Sequence, residues 1–166
     1  MGQKYGVKCS QCDFSFPVNI GHGMLGCCFF ETNIRTGKPY FYGYIKSKRT
    51  IADIERIRET WIEVIEDETV YEKRKQWRGH GSAQYLCPKC GRMHNKFFFA
   101  LIGSGGRYQP TYYCSTCRNK VVLVELKVSK SGEVTVISEK PIKWICPKCE
   151  NDKFEQDLAA GITMYD

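Results

Sequence analysis

Eight cysteines carry the clearest chemistry in this chain. They form four Cys-x-x-Cys knuckles: Cys9/Cys12, Cys87/Cys90, Cys114/Cys117 and Cys146/Cys149. Two thiolates separated by a tight turn can face one tetrahedral ion, and two such knuckles complete a closed four-sulfur site. The ligand count therefore predicts two ions. Zinc (Zn2+) is the expected metal. Iron is its rival, because four thiolates suit either.

Disulfide or redox chemistry is the competing explanation of the cysteines. A thioredoxin-like pair sits in a βαβ setting, and none of the four knuckles is placed in one. Residues 1–8 lack the apolar stretch of a secretory signal, so the expected compartment is the reducing cytoplasm, where disulfides are disfavoured. No run of about 18 apolar residues is present to span a membrane.

Three ligand pairings are open. Cys90 and Cys114 are 23 residues apart, room for one hairpin, which favours Cys87/Cys90 with Cys114/Cys117 and leaves Cys9/Cys12 for Cys146/Cys149. A second scheme joins Cys114/Cys117 to Cys146/Cys149 across 28 residues. A third makes a local site from Cys9, Cys12, His22 and Cys27 or Cys28. Cys27 and Cys28 precede Phe29-Phe30 and read better as small buried hydrophobes. His22, His80 and His94 are scattered. His94, four residues after Cys90, is the best spare ligand.

The knuckles alternate with short β-prone stretches. Cys87-Pro88-Lys89-Cys90-Gly91 and Cys146-Pro147-Lys148-Cys149, with the poorer copies Cys9-Ser10-Gln11-Cys12 and Cys114-Ser115-Thr116-Cys117, resemble the zinc-ribbon superfamily. The resemblance covers roughly half the chain and implies a fold element rather than an activity. Glycine follows the second cysteine only at Cys90; Asp13, Arg118 and Glu150 stand in its place elsewhere, a departure from the ribbon pattern. The order of elements also resembles bacterial multi-knuckle proteins that open with a Cys-x-x-Cys pair and a Gly-x-Gly turn like Gly21-His22-Gly23.

The elements that must position these knuckles read as an α+β fold, with zinc-ribbon β-hairpins packed with one amphipathic helix. Residues 1–49 hold the first knuckle and an aromatic, basic hairpin. Residues 50–80 hold the helix, capped by Thr50, with Ile51, Ile54, Ile57, Trp61, Val64 and Ile65 on one face. The central ribbon occupies 81–117. A second hairpin, 121–128 and 134–137, and the last knuckle fill 118–166, with a short polar tail after Phe154.

No catalytic constellation stands out. Gly103-Ser104-Gly105-Gly106 is not a phosphate loop, since no Lys-Ser/Thr pair follows. Glu63, Glu66, Asp67 and Glu68 read as a solvated helix face. Closed four-thiolate sites leave no position for substrate. The expectation is a protein without catalytic activity.

The formal charge of +7 falls to +3 once eight thiolates hold two zinc ions, so the chain is only mildly basic. Nucleic acid is nevertheless the expected partner. Lys96, Arg107, Tyr108 and Tyr112 in the central ribbon offer phosphate and base contacts, and Lys46, Lys48 and Arg49 form a second basic surface beside aromatic residues. The alternative is a protein–protein interaction adaptor docking through the apolar helix stripe.

Overall fold

The computed structural model describes residues 2–20, 33–58, 80–103 and 106–165. The expected helix beyond residue 58, with Trp61, Val64, Ile65 and the acidic residues after them, lies outside the described residues. So do the Gly21-His22-Gly23 turn and Cys27-Cys28.

Strand dominates. The chain runs β1 (Gly2–Cys9), β2 (Ser15–Ile20), α1 (Phe41–Tyr44), α2 (Lys48–Arg58), β3 (His80–Leu86), β4 (Met93–Phe99), β5 (Leu101–Gly103), β6 (Gly106–Tyr108), β7 (Val122–Val128), β8 (Glu133–Ile137) and β9 (Phe154–Tyr165). Seven strands form one antiparallel sheet in the order β2-β1-β9-β8-β7-β3-β4, and β5 and β6 make a separate hairpin. No described helix is long and apolar enough to cross a membrane.

This corrects the expected α+β architecture built around one amphipathic helix. The described helices have four and eleven residues and lie beside the sheet rather than organising it. Two strands account for most of the difference. β1 alternates correctly, with Tyr5, Val7 and Cys9 buried and Lys4 and Lys8 exposed, but Gly2 and Gly6 hide the period. β9 occupies the expected polar tail and pairs with β1 along its length, from Cys9↔Phe154 to Gly2↔Tyr165.

Between Tyr5↔Ile162 and Gly6↔Asp157, residues 158–161 bulge out of β9 and break its alternation. The bulge lies on Gly6, where a Cβ would stand 2.7 Å from the Ala160 Cβ. No larger residue fits there.

The helix starts earlier than expected. Ser47, not Thr50, caps it: the Ser47 Oγ accepts the Thr50 N–H at 3.2 Å, and the Ser47 carbonyl accepts the Ile51 N–H. Ile51 and Ile54 then pack on Phe41, Ile45, Phe99 and Tyr108, a cluster outside the main core. Residues 41–44, expected in a hairpin, form the short helix α1.

The main core lies on the concave face of the sheet. Val7, Val18, Leu86, Val124, Val134 and Phe154 meet there. Trp144 stacks on Phe154 with ring centroids 3.8 Å apart and meets the Phe16 edge at 5.8 Å. On the outer face of β3, Ala83 and Tyr85 are covered by Tyr112 and Val121.

The sheet curls until its edge strands, β2 and β4, approach one another. Side chains rather than a ladder bridge this seam. Asn95 Nδ2 donates to the Pro17 carbonyl, and Asn95 Oδ1 accepts from the Asn19 N–H at 3.4 Å and from Gln84 Nε2 at 3.2 Å. Gln84, only 1% exposed, also donates to the Asn19 carbonyl at 2.6 Å. An edge strand with a proline suits such closure, because its free carbonyl needs a side-chain donor. Replacing Asn95 by Ala strands partners on both strands and should cost about 2 kcal/mol. A thermal or denaturant melt reads the loss, and an unchanged melt would show that the seam is held by packing alone.

Candidate metal centres

Each knuckle is a chain reversal. Cys9/Cys12 form the turn of the β1–β2 hairpin, and Cys87/Cys90 that of β3–β4. Tyr113↔Lys120 frames Cys114/Cys117, and Cys146/Cys149 stand before β9. In all four, the first cysteine's N–H bonds a carbonyl five residues on: Phe14, Arg92, Asn119 and Asn151, at 2.8 to 3.0 Å.

In three knuckles the residue after the second cysteine is left-handed and donates its N–H to the first cysteine's carbonyl. These are Gly91 (φ 66°), Arg118 (φ 59°) and Glu150 (φ 60°). The departure from glycine noted in the sequence therefore leaves the turn unchanged at Arg118 and Glu150, at a conformational cost of about 1 kcal/mol each. Asp13 is not left-handed, and its knuckle alone departs from the pattern. At Gly91 there is a second constraint: a Cβ would lie 2.6 Å from Ile145 Cγ1.

The sheet draws the knuckles into two clusters, Cys9/Cys12/Cys146/Cys149 and Cys87/Cys90/Cys114/Cys117, each with all its sulfurs within 4.8 Å of one another. This is the first of the three pairings weighed from sequence; the second is not formed, and His22, Cys27 and Cys28 of the third lie outside the described residues. In the first cluster Cys9–Cys149 and Cys12–Cys146 are each 3.5 Å apart. In the second, Cys87–Cys117 is 3.4 Å, Cys90–Cys114 3.6 Å and Cys90–Cys117 3.7 Å. A disulfide requires about 2.05 Å, whereas a tetrahedron of sulfurs about 2.3 Å from zinc has edges of about 3.8 Å. The donor sets fit a four-thiolate ion, with zinc-ribbon-like turns.

Protonation in the clusters is uneven. Burial raises the Cys114 thiol, but N–H donors from Cys117 and Thr116, with hydrogen bonds from Cys90 and His94, bring it down to about 5. Cys90 is pushed up to about 12 by burial and by the thiols of Cys87, Cys114 and Cys117, against the Arg92 N–H. In the other cluster, burial of Cys9 is outweighed by Asn151, the Gln11 N–H, Cys149 and the Cys12 N–H, which bring it down to about 6. Cys12 is drawn down by the Phe14 N–H, yet burial and the thiols of Cys149, Cys146 and Cys9 push it up to about 12. Four crowded thiols cannot all ionise together without a cation between them.

The clusters differ in setting. Cys146 and Cys9 are buried but Cys149 is exposed, and the surrounding charges pair off, Lys148 with Asp13 and Lys143 with Asp152 at 3.3 Å. No cysteine of the second cluster is exposed. Around it stand Lys89, Arg92, Arg118 and Lys120, all exposed, and residues 81–124 contain no carboxylate. Arg92 donates to Thr116 Oγ1 at 2.8 Å across the cluster. Each of these cations lies within three residues of a cysteine in that cluster, the signal by which the sequence could have singled them out.

The residues expected to contact nucleic acid fall into separate groups. Lys96 Nζ lies 5.9 Å from the Tyr112 ring centre. Tyr112 donates its hydroxyl to the Phe97 carbonyl at 2.5 Å and meets the Tyr85 edge at 5.2 Å, so it is a packing residue; burial raises its phenol. Tyr108 packs on Phe99 at 5.9 Å, and burial and Asp53 raise its phenol. Arg107 belongs to β6, and its side chain lies outside the description. Lys46, Lys48 and Arg49 are exposed around the start of α2, Lys46 donating to the Gly43 carbonyl at 3.2 Å.

Comparison with protein-family models, curated protein sequences and solved structures found no match.

Two expectations follow from the knuckles. Glu150→Gly should stabilise the metal-loaded protein by about 1 kcal/mol, while Gly91→Ala should destabilise it by at least about 2 kcal/mol; melting curves that rank the two variants the other way would refute the turn analysis. The second concerns pH. With thiols near 12, Cys12 and Cys90 hold protons at neutral pH that an incoming ion must displace. Each proton released raises apparent affinity about tenfold per pH unit, so affinity should climb at least that steeply between about pH 6 and 8. Competition with a chelator at both ends of that range measures it, and a flat profile would contradict it.

Proposed function

We propose that this chain is a non-catalytic zinc protein that binds single-stranded nucleic acid at the end of its sheet carrying the Cys87/Cys90/Cys114/Cys117 centre. Zinc suits a purely structural role, being redox-inert and satisfied by four sulfurs. Iron would colour the protein, and visible absorption with stoichiometric iron would count against this assignment.

The observation that carries the nucleic-acid reading is the charge asymmetry between the centres. Residues 81–124 contain six Lys and Arg and no Asp or Glu. A four-thiolate zinc site contributes −2, which leaves this part of the chain distinctly cationic even when loaded. At the other centre the cations Lys143 and Lys148 are already paired with carboxylates. Phosphate attracts unpaired Lys and Arg and releases counterions when they meet.

This reading moves the centre of the interface from Tyr108 and Tyr112, whose rings are used in packing, to the knuckle cations Lys89, Arg92, Arg118 and Lys120. Lys96 adjoins them in sequence. Lys46, Lys48 and Arg49 form a separate cationic group at α2.

The adaptor reading has one observation of its own. Leu158, Ile162 and Met164 of β9 are 81%, 65% and 51% exposed, and beyond Gln156 that strand is paired on one side only among the described residues. An open strand edge with apolar side chains can take up a partner strand.

Salt dependence separates the two. Zinc-loaded protein should bind a single-stranded oligonucleotide at low salt, with affinity falling steeply as salt rises. Lys89→Ala combined with Arg118→Ala should flatten the log–log slope by about 1.4, or about 0.7 for each lost phosphate contact. Absence of binding at low salt, or a slope unchanged in the double variant, would remove this interface.

A further inference from the structure

The chain reversal around Cys114/Cys117 has two faces. The Val121 N–H bonds the Tyr112 carbonyl at 3.0 Å, Tyr113 opposes Lys120 in an antiparallel bridge, and the Cys114 N–H bonds the Asn119 carbonyl at 2.8 Å. Successive side chains of extended chain point to opposite sides. Tyr112 and Val121 share the inner side, where they pack with Ala83 and Tyr85 of β3. Tyr113 and Lys120 share the outer side.

The exposures agree with this alternation. Val121 is buried and Tyr112 half-buried, whereas Lys120 is exposed and Tyr113 is 60% exposed. A single exposed apolar side chain is ordinary on a protein surface, but this one is placed among cations. It adjoins Cys114 and lies within residues 81–124, which hold no carboxylate. Tyr113 is also the only exposed aromatic among the side chains described. Tyr112 is committed to the Phe97 carbonyl and the Tyr85 edge, and Tyr108 to Phe99. Among the described residues, no ring packs on Tyr113 and no partner holds its hydroxyl.

The neighbouring cations are equally uncommitted. Lys120 meets no carboxylate among the described residues. Residues directly opposed in an antiparallel pair have Cβ atoms about 5 Å apart, so the Tyr113 ring and the Lys120 ammonium can meet one ligand together. Arg118 is exposed at the end of the same knuckle, where its N–H bonds the Cys114 carbonyl at 3.0 Å. An open ring face flanked by cations matches a base and its adjoining phosphates, and stacking of this kind tolerates any base. A tyrosine ring is rigid, so ordering it on binding costs little. We propose that Tyr113 stacks on one base of a single-stranded nucleic acid while Lys120 and Arg118 take phosphates beside it. The proposal rests on the nucleic-acid reading above and names its stacking residue.

The test compares a single-stranded oligothymidylate with an abasic strand of the same length, using fluorescence anisotropy and zinc-loaded full-length protein at low salt. Tyr113→Ala should weaken oligothymidylate binding at least about fivefold. It should leave the abasic strand within about twofold, because that strand keeps its phosphates and has no base to stack. The log–log salt slope should stay the same in Tyr113→Ala and flatten by about 0.7 in Lys120→Ala, since only the second removes a phosphate contact. Tyr113→Phe keeps the ring face and should bind within about twofold of the wild type. In the wild type, the Tyr113 ring proton resonances should move upfield with oligothymidylate and not with the abasic strand. This second measurement decides the matter if Tyr113→Ala loses its metal. Wild-type affinity in Tyr113→Ala, a Tyr113→Phe variant as weak as Tyr113→Ala, or unmoved ring resonances in the oligothymidylate complex overturns the stacking proposal while nucleic-acid binding itself survives. Failure of both strands to bind the wild type removes the stacking site and the functional reading together.

Discussion

Sulfur atoms from knuckles remote in the chain lie within about a bond's reach of a common centre, and the rest of the structure depends on that. Cys9 meets Cys149 across 140 residues of sequence, whereas Cys90 meets Cys114 across only 24. The longer closure costs about 1.5 kcal/mol more in chain entropy, because the cost grows only as the logarithm of loop length. That difference is small beside the roughly 10 to 16 kcal/mol that a structural zinc ion contributes in small modules. Loop length is therefore a weak guide to pairing once an ion is involved. What distinguishes the observed pairing is the sheet: β1 and β9 zip together from Cys9↔Phe154 outward, which sets their two knuckles side by side. An ion held by Cys9, Cys12, Cys146 and Cys149 would act on the same ends of the chain as the ladder.

The knuckles show what a metal centre requires locally. A tight turn must aim N–H groups at sulfur, and three of the four turns here accept a left-handed residue to do so, even where that residue is Arg118 or Glu150. Strain of this kind persists where surrounding interactions over-determine the conformation. The centres are also joined. The Ile145 N–H bonds the Gly91 carbonyl at 2.9 Å, and the Ile145 side chain covers the Gly91 Cα, one residue before Cys146 and one residue after Cys90. A distortion at either centre reaches the other through this contact, so Gly91 is constrained both by its own turn and by its neighbour's approach.

These constraints explain what the sequence made legible. Ligand chemistry is short-range, and a Cys-x-x-Cys spacing states it outright; both clusters use the cysteines that the spacing picks out. β7 and β8 were likewise visible, since Val124, Leu126 and Val128 alternate with Glu125 and Lys127 ahead of a Ser-Gly turn. The sheet as a whole was not. In β9 the excursion at 158–161 shifts the register, so Phe154 and Ile162 no longer read as one strand. β1 was not legible as a strand of the sheet, because its partner lies at the far end of the chain. The aromatic residues misled for another reason: Tyr108 and Tyr112 have the composition of a stacking surface, but a small β protein with few large aliphatic residues needs those rings for its own packing.

Closed centres of this kind cannot present an open coordination position, so any function must be read from what they hold in place. The two differ in a way that composition alone obscures. One is embedded among compensated charges, Lys148 with Asp13 and Lys143 with Asp152, and the other among cations with no carboxylate in the adjoining sequence. A mildly basic chain is thus a neutral end joined to a distinctly positive one. The curled sheet keeps the two ends in fixed relation, and its seam at Asn95 and Gln84 lies on the same strands, β4 and β3, that carry the Cys87/Cys90 knuckle. Rigid strands on either side of a knuckle hold its exposed Lys and Arg side chains in register at little further cost in ordering. A flexible basic loop of equal charge would have to be ordered on binding, and would lose part of its electrostatic gain to that ordering. The metal centres and the seam together supply the preorganisation that mild net charge by itself does not.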